Sequence, residues 1–206
     1  MTGTLTSVDV SRETLDRLKT YEAMLAKWTQ RINLISKASA TQIWDRHIMD
    51  SFQLFDEIPK DARSVVDLGS GGGLPGVVLA ILLDEKNPKT TVTLIESDQR
   101  KAAFLHKISA DLNLGLSVRN DRILSLESLQ ADVVTARALA PLHQLLEMVK
   151  HHLSPSGLAL LMKGRAFQAE IDEARQNFSF SLDLIHSRTD ADARILKIEE
   201  IVYVDT

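Results

Sequence analysis

From residue 64 onward, short continuous apolar runs alternate with segments whose apolar positions recur every three or four residues. The short runs, such as Val65–Leu68 and Thr91–Ile95, are typical of buried strands. The segments between them, such as Gln99–Leu112, have the spacing of amphipathic helices. Strands that alternate with helices predict a parallel sheet with right-handed crossovers.

The order of elements changes towards the C-terminus, where two predicted strands follow each other directly. Phe180–Ser187 and Arg194–Val204 are separated by a link without helical periodicity. Consecutive strands joined by a short link pair antiparallel. A turn is predicted at Ser154–Gly157, just before a strand at Leu158–Lys163. The whole pattern predicts an α/β fold with a mostly parallel seven-stranded sheet that ends in an antiparallel pair.

The first 60 residues have a helical pattern. Apolar residues recur at helical spacing from residue 11 to residue 35, where Ser11 is a suitable N-cap, and again between Ala40 and Phe55. We expect residues 1–206 to form a single domain. In it, a helical extension (residues 1–60) packs on an α/β core (residues 61–206).

The composition is that of an ordinary globular protein and excludes several kinds of site. Hydrophobic residues make up 44% of the chain, and no apolar run approaches the ~20 residues of a membrane span. The absence of Cys excludes disulfides, thiolate catalysis and Cys-based zinc sites, and the six His show no metal-ligand spacing. The N-terminus lacks a secretory signal, so we expect a cytoplasmic protein without a membrane partner.

The net charge of −4 argues mildly against a nucleic-acid binder, which usually has a basic face. Such a partner would require the basic residues to cluster. Solvated helix faces are the competing explanation for most of these charges. The candidates for a cluster are Lys27, Arg31, Lys37, Arg46, Arg137, Lys163 and Arg165.

The most specific pattern is a glycine-rich turn between a predicted strand and a predicted helix. It reads Asp67-Leu68-Gly69-Ser70-Gly71-Gly72-Gly73-Leu74-Pro75-Gly76. Glycine permits positive φ and lets a ligand approach bare backbone, and the helix that follows begins with unpaired N–H groups. Glu96 ends the next strand, where a carboxylate can accept both hydroxyl hydrogens of a ribose. The arrangement predicts a nucleoside-cofactor site.

The glycines fit two different cofactors. Gly71-x-Gly73-x-x-Gly76 satisfies the dinucleotide fingerprint of NAD(P)-dependent oxidoreductases. The acid-x-Gly-x-Gly-x-Gly pattern that starts at Asp67 matches the first motif of S-adenosylmethionine (SAM) methyltransferases. The antiparallel C-terminal pair favours the Rossmann-like class I SAM-dependent methyltransferase fold. The dehydrogenase alternative is weakened because the chain has no Tyr-x-x-x-Lys pair, and neither Tyr21 nor Tyr203 is expected near the site.

Polar side chains follow several strands whose carboxyl ends are predicted to meet at one edge of the sheet, where ligands of such sheets bind. Asp67 either holds the glycine loop or receives the amino group of SAM. Arg137 offers a planar donor fork for a carboxylate or for the O6 and N7 edge of guanine. Lys163 is a candidate contact to RNA phosphate. His47 lies in a helical segment that is expected to face the cofactor mouth.

The ordered set of motifs resembles the RsmG (GidB) family of bacterial 16S rRNA guanine-N7 methyltransferases over almost the whole chain. The glycine motif is shared with many methyltransferases, whereas the Arg-His-x-x-Asp-Ser and Ala-Arg-Ala pieces are specific to this family. The pieces that carry the resemblance are Asn33–Ser36, Arg46–Ser51, Asp67–Gly76, Arg100-Lys101 with Phe104-Leu105, Ala136–Leu142 and Lys163-Gly164.

The resemblance implies methyl transfer from SAM to N7 of one guanine in 16S rRNA, free or within the small-subunit particle, by a protein expected to be a monomer. Together with the motif analysis, it gives the cofactor-binding candidates Asp67, Gly69, Gly71, Gly73, Leu74, Glu96, Ile123, Leu124 and Arg137. The family commonly has an acid at the position of Leu124, so a contact to adenine is expected there from the backbone. A non-catalytic RNA-binding module with a vestigial pocket is a third alternative.

Guanine N7 has a free lone pair, so the implied reaction needs no general base. The enzyme has to align the nucleophile, the methyl group and the sulfur. The substrate-positioning candidates are Arg137, His47, Asp50 and Lys163. Among them, Asp50 is expected to offset the positive charge that develops on N7.

Overall fold

The computed structural model describes residues 10–36 and 38–204, which form one seven-stranded sheet with helices packed on it. The strands are β1 (Ser64–Leu68), β2 (Thr91–Ile95), β3 (Ser117–Arg119), β4 (Ala131–Arg137), β5 (Leu153–Lys163), β6 (Phe178–His186) and β7 (Arg194–Tyr203). The helices are α1 (Arg12–Thr29), α2 (Met49–Phe52), α3 (Gly76–Lys86), α4 (Gln99–Asp111), α5 (Leu142–His152) and α6 (Phe167–Ala174).

The strand order is β3-β2-β1-β4-β5-β7-β6, and every pairing is parallel except those of β7. β7 lies between β5 and β6 and is antiparallel to both. The predicted mostly parallel sheet with an antiparallel C-terminal pair is therefore confirmed. Because the carboxyl ends of β1, β2 and β4 meet at one edge, the residues that follow these strands come together there.

Helix α3 is buried on nearly all sides, which explains its continuous apolar sequence. All residues from Val77 to Leu83 are buried, between strand β2 on one side and helix α1 on the other. Leu18, Tyr21 and Leu25 of α1 belong to the same hydrophobic cluster as α3. Helix α1 begins as predicted, because Ser11 Oγ accepts a hydrogen bond from the Thr14 N–H at 3.1 Å. The N-terminal helix thus completes the core on this face of the sheet.

Three predicted elements differ from the structure. The helix predicted over residues 11–35 is shorter, since α1 ends at Thr29. The segment predicted as one helix from Ala40 to Phe55 consists of a π-helical turn (Trp44–Ile48), α2 and a 3₁₀ turn (Gln53–Glu57). The predicted turn at Ser154–Gly157 is wrong, because these residues lie within β5. The register of β5 against β4 shifts at this point, and such an irregularity accommodates Pro and Gly in a strand.

Within residues 10–36 and 38–204, no helix is both long and apolar enough to cross a membrane. The same residues contain no group of three or more His, Asp and Glu side chains that could hold a metal ion.

Candidate active site

The glycine loop, residues 69–76, joins β1 to α3 and has a backbone that other residues rarely adopt. Gly69, Gly71 and Gly73 have φ angles of +63°, +56° and +91°. A Cβ at Gly69 would also lie 2.4 Å from Leu139 Cδ1. The loop therefore requires glycine at these positions. The space that a Cβ would take is filled by Leu139 at Gly69 and by Val77 at Gly73, whereas it is open at Gly71.

Helix α1 holds the glycine loop through Tyr21. The buried Tyr21 hydroxyl donates a hydrogen bond to the Gly72 carbonyl oxygen at 2.6 Å. Burial raises the pKa of Tyr21 well above its usual value, so the hydroxyl remains a donor at neutral pH. The expectation that neither tyrosine lies near the site is therefore wrong for Tyr21. The local sequence carries no signal of this contact, because its two partners are 51 residues apart.

We expect Tyr21→Phe to destabilise the protein by about 1–2 kcal/mol, because it leaves the buried Gly72 carbonyl without its donor. The glycine loop should also become less ordered and bind a nucleoside cofactor more weakly. Urea unfolding and calorimetric titration would measure both effects. Tyr203→Phe is the matched control, since Tyr203 is 56% exposed. Equal behaviour of the two variants would contradict a role of Tyr21 in holding the loop.

Asp67, near the end of β1, is fully buried against the loop. Its Oδ1 accepts a hydrogen bond from the Thr135 hydroxyl at 2.9 Å, and its Oδ2 accepts one from the Gly76 N–H at 3.2 Å. Burial raises the pKa of this carboxyl to about 6, although hydrogen bonds from both partners oppose the rise. Asp67 lines neither of the two cavities described below, and neither does buried Leu74. The geometry favours the first of the two roles predicted for Asp67, the holding of the glycine loop.

Glu96, directly after β2, brings its carboxylate to the glycine loop. Its Oε2 accepts a hydrogen bond from the Gly71 N–H and its Oε1 one from the Asp98 N–H, both at 2.8 Å. A carboxylate has about four acceptor sites, so two remain for a ligand. Glu96 also lines a cavity of about 650 Å³, which we call the Glu96 cavity. This placement agrees with the role of ribose acceptor that the sequence predicts.

The Glu96 cavity lies at the carboxyl ends of β1 and β2. Its wall includes Gly69, Glu96, Lys101, Ile123, Leu124, Ala138 and Leu139. The Leu124 side chain is 52% exposed and offers no polar atom, so a hydrogen bond to a ligand at this point has to come from the backbone. The cavity thus collects four of the predicted cofactor residues, Gly69, Glu96, Ile123 and Leu124, from three separate parts of the chain. Gly71 and Gly73 do not line it, and Arg137 lines the second cavity instead.

Two adjacent histidines hold the segment that carries Ile123 and Leu124. His152 Nε2 lies 2.9 Å from the Ile123 carbonyl oxygen, and His151 Nε2 lies 2.8 Å from the Leu126 carbonyl oxygen. Because a carbonyl only accepts, each Nε2 carries the hydrogen. Burial lowers the pKa of His152, which favours its neutral form. Sequence reasoning missed this role, since two adjacent histidines form no recognised motif.

A second cavity of about 560 Å³, which we call the Arg137 cavity, adjoins the first. Ala138 and Leu139 line both cavities and therefore form a shared wall. Ala138 has a φ of +50°, which is uncommon for a residue with a Cβ. The other lining residues include Ser39, His47, Asp50, Arg137, Lys163 and Thr189.

The Arg137 guanidinium, at the end of β4, is held by the N-terminal segment. Its Nη2 donates hydrogen bonds to His47 Nδ1 at 2.6 Å and to the Arg46 carbonyl oxygen at 3.3 Å. Its Nη1 lies 3.5 Å from Asp50 Oδ2 and has no hydrogen-bond acceptor among the residues that the structure describes. Burial lowers the pKa of Arg137, but an arginine remains charged at neutral pH. Three of the four substrate-positioning candidates thus meet in one network.

His47 is neutral in this network, because its Nδ1 accepts a hydrogen bond from Arg137. Its Nε2 then carries the hydrogen and donates to Ser39 Oγ at 2.8 Å. Burial, together with the charges of Arg137 and Arg46, lowers the pKa of His47 to about 4. Both ring nitrogens are engaged, so His47 orients Arg137 and is not available as a general base.

This arrangement predicts a pH dependence of stability that His47→Gln should reduce. The unfolded chain binds a proton at His47 below its ordinary pKa of 6.5, whereas the folded protein resists protonation down to about 4. The contribution of neutral His47 to the free energy of unfolding is therefore fully present above pH 6.5 and is lost as the pH falls from 6.5 to about 4. The measurement is the free energy of urea unfolding at several pH values. His106→Gln, at an exposed position, should keep the wild-type slope; an unchanged slope in His47→Gln would contradict the assignment.

Asp50 connects the Arg137 network to the chain between β6 and β7. Its Oδ1 accepts a hydrogen bond from Gln53 Nε2 at 2.8 Å and another from the Thr189 hydroxyl. Gln53 Oε1 in turn accepts the Arg188 N–H at 2.9 Å. The N-terminal segment and the β6–β7 connection therefore close the Arg137 cavity from two sides.

Lys163, at the end of β5, is buried and paired. Its Nζ donates to Glu170 Oε2 at 2.7 Å and to the Ala140 carbonyl oxygen at 2.6 Å. The same Glu170 oxygen accepts the Leu142 N–H at 2.8 Å. These bonds tie β5 to α6 and to the start of α5, so Lys163 supports the cavity wall. The contact to RNA phosphate stays a prediction.

Comparison with known proteins shows that the sequence is similar to one family of methyltransferases. The sequence model of the GidB family, described as rRNA small subunit methyltransferase G, matches residues 14–193. Two proteins named Ribosomal RNA small subunit methyltransferase G are similar over nearly their full length. The one from Ruegeria sp. (strain TM1040) is 45% identical over 94% of each chain. The one from Paracoccus denitrificans (strain Pd 1222) is 50% identical over 93% of this chain and 97% of that one.

Solved structures confirm the predicted Rossmann-like methyltransferase fold. A TehB-like SAM-dependent methyltransferase from Corynebacterium glutamicum has a TM-score of 0.58 at 14% identity, covering 86% of this chain and 98% of that one. A SAM dependent methyltransferase from Aquifex aeolicus has a TM-score of 0.57 at 11% identity, covering 86% and 97%. At such low identity the similarity concerns the fold.

Proposed function

The chain belongs to the GidB family of rRNA small subunit methyltransferases, and we propose that it methylates N7 of a guanine in 16S rRNA with SAM as the donor. Family membership makes it an rRNA methyltransferase; the donor, the atom and the RNA are what we propose. The observation that carries the proposal is the pair of cavities that meet at Ala138 and Leu139. One cavity suits a nucleoside donor and the other a planar base.

The residues of the Glu96 cavity fit SAM. Gly69 of the glycine loop lines this cavity and Gly71 has open space at its α-carbon, so a nucleoside can approach the main chain there; Glu96 has free acceptor sites for the ribose hydroxyls. The backbone at Ile123 and Leu124 is available to adenine. When bound, SAM supplies an electrophilic methyl group on a sulfonium. The NAD(P)-dependent oxidoreductase alternative gains no support, since the family is one of methyltransferases.

The Arg137 cavity supplies what a guanine requires. His47 and Arg46 accept from the Arg137 Nη2 and fix the orientation of the planar guanidinium, which leaves Nη1, without an acceptor among the described residues, as the donor for the O6 acceptor of guanine. The Asp50 carboxylate, 3.5 Å from Arg137 Nη1, is placed to offset the positive charge that develops on N7. The cavity therefore orients the base and stabilises its charge.

The absence of a free base in this network agrees with attack by N7, whose lone pair carries no proton. His47 has both ring nitrogens engaged, and Lys163 is held by Glu170. Methylation of an exocyclic amine or of a carbon would also require removal of a proton. The residues thus contribute mainly by alignment, which in well-oriented systems is worth about 7–11 kcal/mol.

The proposal is tested by incubating the protein with tritiated SAM and either unmodified 16S rRNA or small-subunit particles, with 23S rRNA as the control substrate. We expect label on one guanine of 16S rRNA, and cleavage chemistry specific for N7-methylguanine should locate it. Label on an exocyclic amine or a carbon would contradict the proposed atom. Label on 23S rRNA alone would contradict the proposed substrate.

A further inference from the structure

Many basic side chains of this acidic protein are paired with acids. Arg17 contacts Asp84, and Lys107 lies 2.9 Å from Asp111. Further pairs are Arg188–Asp56, Lys197–Glu57 and Lys163–Glu170. With a net charge of −4, the protein needs a local excess of unpaired cations to attract RNA.

Such an excess surrounds a small cavity between the end of α1 and the start of α4, which we call the basic cavity. Its volume is about 260 Å³, and its wall consists of Arg31, Ile32, Asn33, Asp98, Arg100 and Lys101. Arg31 and Lys101 have no ion pair and no side-chain hydrogen bond within residues 10–36 and 38–204. The wall of the basic cavity therefore contains three cationic side chains, those of Arg31, Arg100 and Lys101, and one acidic side chain, that of Asp98.

The single acid of the basic cavity is already engaged. Asp98 caps α4, because its Oδ1 accepts the N–H groups of Arg100 at 2.8 Å and Lys101 at 3.2 Å. Its Oδ2 pairs with the Arg100 guanidinium at 3.2 Å. The charges of Arg31 and Lys101 are left for an external anion.

The position of the basic cavity relates it to the reaction. Lys101 lines both the basic cavity and the Glu96 cavity, so the two are neighbours. Arg31, Ile32 and Asn33 line the basic cavity, and Ser36, close to them in sequence, lines the Arg137 cavity. Between them, Leu34 packs against the glycine loop at Gly72. One edge of the protein thus carries the basic cavity, the glycine loop and the Arg137 cavity in sequence.

We propose that the basic cavity binds a backbone phosphate of the RNA strand whose guanine enters the Arg137 cavity. The inference rests on the proposed function and adds a second anchor point to it. A phosphodiester complements the excess positive charge, and Arg31 can contact two of its oxygens at once. The anchor fixes the strand next to the methyl donor but touches no reacting atom.

The test compares Arg31→Gln, Lys101→Gln and the double variant with a matched control, Lys60→Gln/Lys89→Gln. The control lysines precede β1 and β2 and so lie at the opposite edge of the sheet. Each single variant should raise the KM for 16S rRNA or the small-subunit particle about 2- to 5-fold, and the double variant about 10-fold. In Arg31→Gln, whose side chain does not line the Glu96 cavity, the kcat at saturating RNA and the Kd for SAM should stay at wild-type values. The slope of log affinity against log salt should fall by about 0.7 per phosphate contact removed.

An unchanged KM and salt slope in the double variant would overturn the inference, and so would an equal change in the control. A weaker Kd for SAM with an unchanged KM for RNA would assign the cations to the cofactor. If the wild-type protein transferred no methyl group to RNA, the proposed function itself would fail. The wild-type assay and the variant comparison therefore separate the two failures.

Discussion

Replacing Arg137 with Ala is expected to lower the methyl-transfer rate by about 10²- to 10³-fold, because it removes the charged donor fork that orients the base. The affinity for SAM should change by less than about tenfold, since most of the cofactor contacts lie in the Glu96 cavity. The two quantities are measured by single-turnover labelling of RNA and by calorimetric titration. Arg137→Lys should be nearly as impaired, because an ammonium group cannot reproduce the fork.

The control for this experiment is Arg63→Ala, which removes the same charge from an exposed position just before β1, at the opposite edge of the sheet. Its transfer rate should lie within about twofold of the wild-type rate. A transfer rate of Arg137→Ala close to that of the control would remove Arg137 from the reaction. Thermal unfolding without ligand has to accompany the rates, because Arg137 also bonds His47 and Arg46.

The second large effect is expected for Glu96→Ala, which should weaken SAM binding by about 10²-fold or more. Hydrogen bonds to a charged carboxylate contribute about 1.5–3 kcal/mol each, and the ribose offers two hydroxyl groups. The change also leaves the N–H groups of Gly71 and Asp98 without their acceptor. Calorimetric titration with SAM and with its demethylated product measures the loss.

Glu96→Gln provides the intermediate point, since it keeps one carbonyl acceptor and removes the charge. We expect its affinity for SAM to lie between those of Glu96→Ala and the wild type. Glu127→Ala, an exposed acid that lines neither large cavity, should bind SAM normally. Wild-type affinity in Glu96→Ala would show that the ribose is held elsewhere.

The parts of the fold and of the site that could be predicted from sequence are those whose signal lies in neighbouring residues of the chain. The glycine loop is recognisable because positive φ restricts the residue type at Gly69, Gly71 and Gly73. Glu96 is recognisable because it follows a short apolar strand at a fixed distance from that loop. The antiparallel pair of β6 and β7 follows from a short link without a helix. Each of these signals lies within one contiguous stretch of chain.

The parts that could not be predicted depend on contacts between distant residues. The hydrogen bond between Arg137 and His47 joins residues 90 positions apart, and that between Tyr21 and Gly72 joins residues 51 apart. The pairing of Lys163 with Glu170 depends on how α6 packs beside β5. A single sequence shows the residue types at such positions, but the tertiary fold decides which of them meet.

The wall formed by Ala138 and Leu139 has a thermodynamic consequence. Leu139 packs against Gly69, and Ala138 has a backbone conformation that is unfavourable for alanine, so a ligand that displaces this wall in one cavity alters the shape of the other. The affinities of the two proposed substrates would then be coupled. Thermodynamic linkage requires that a ligand in one cavity changes the affinity of the other cavity for its ligand by the same factor as in the reverse case.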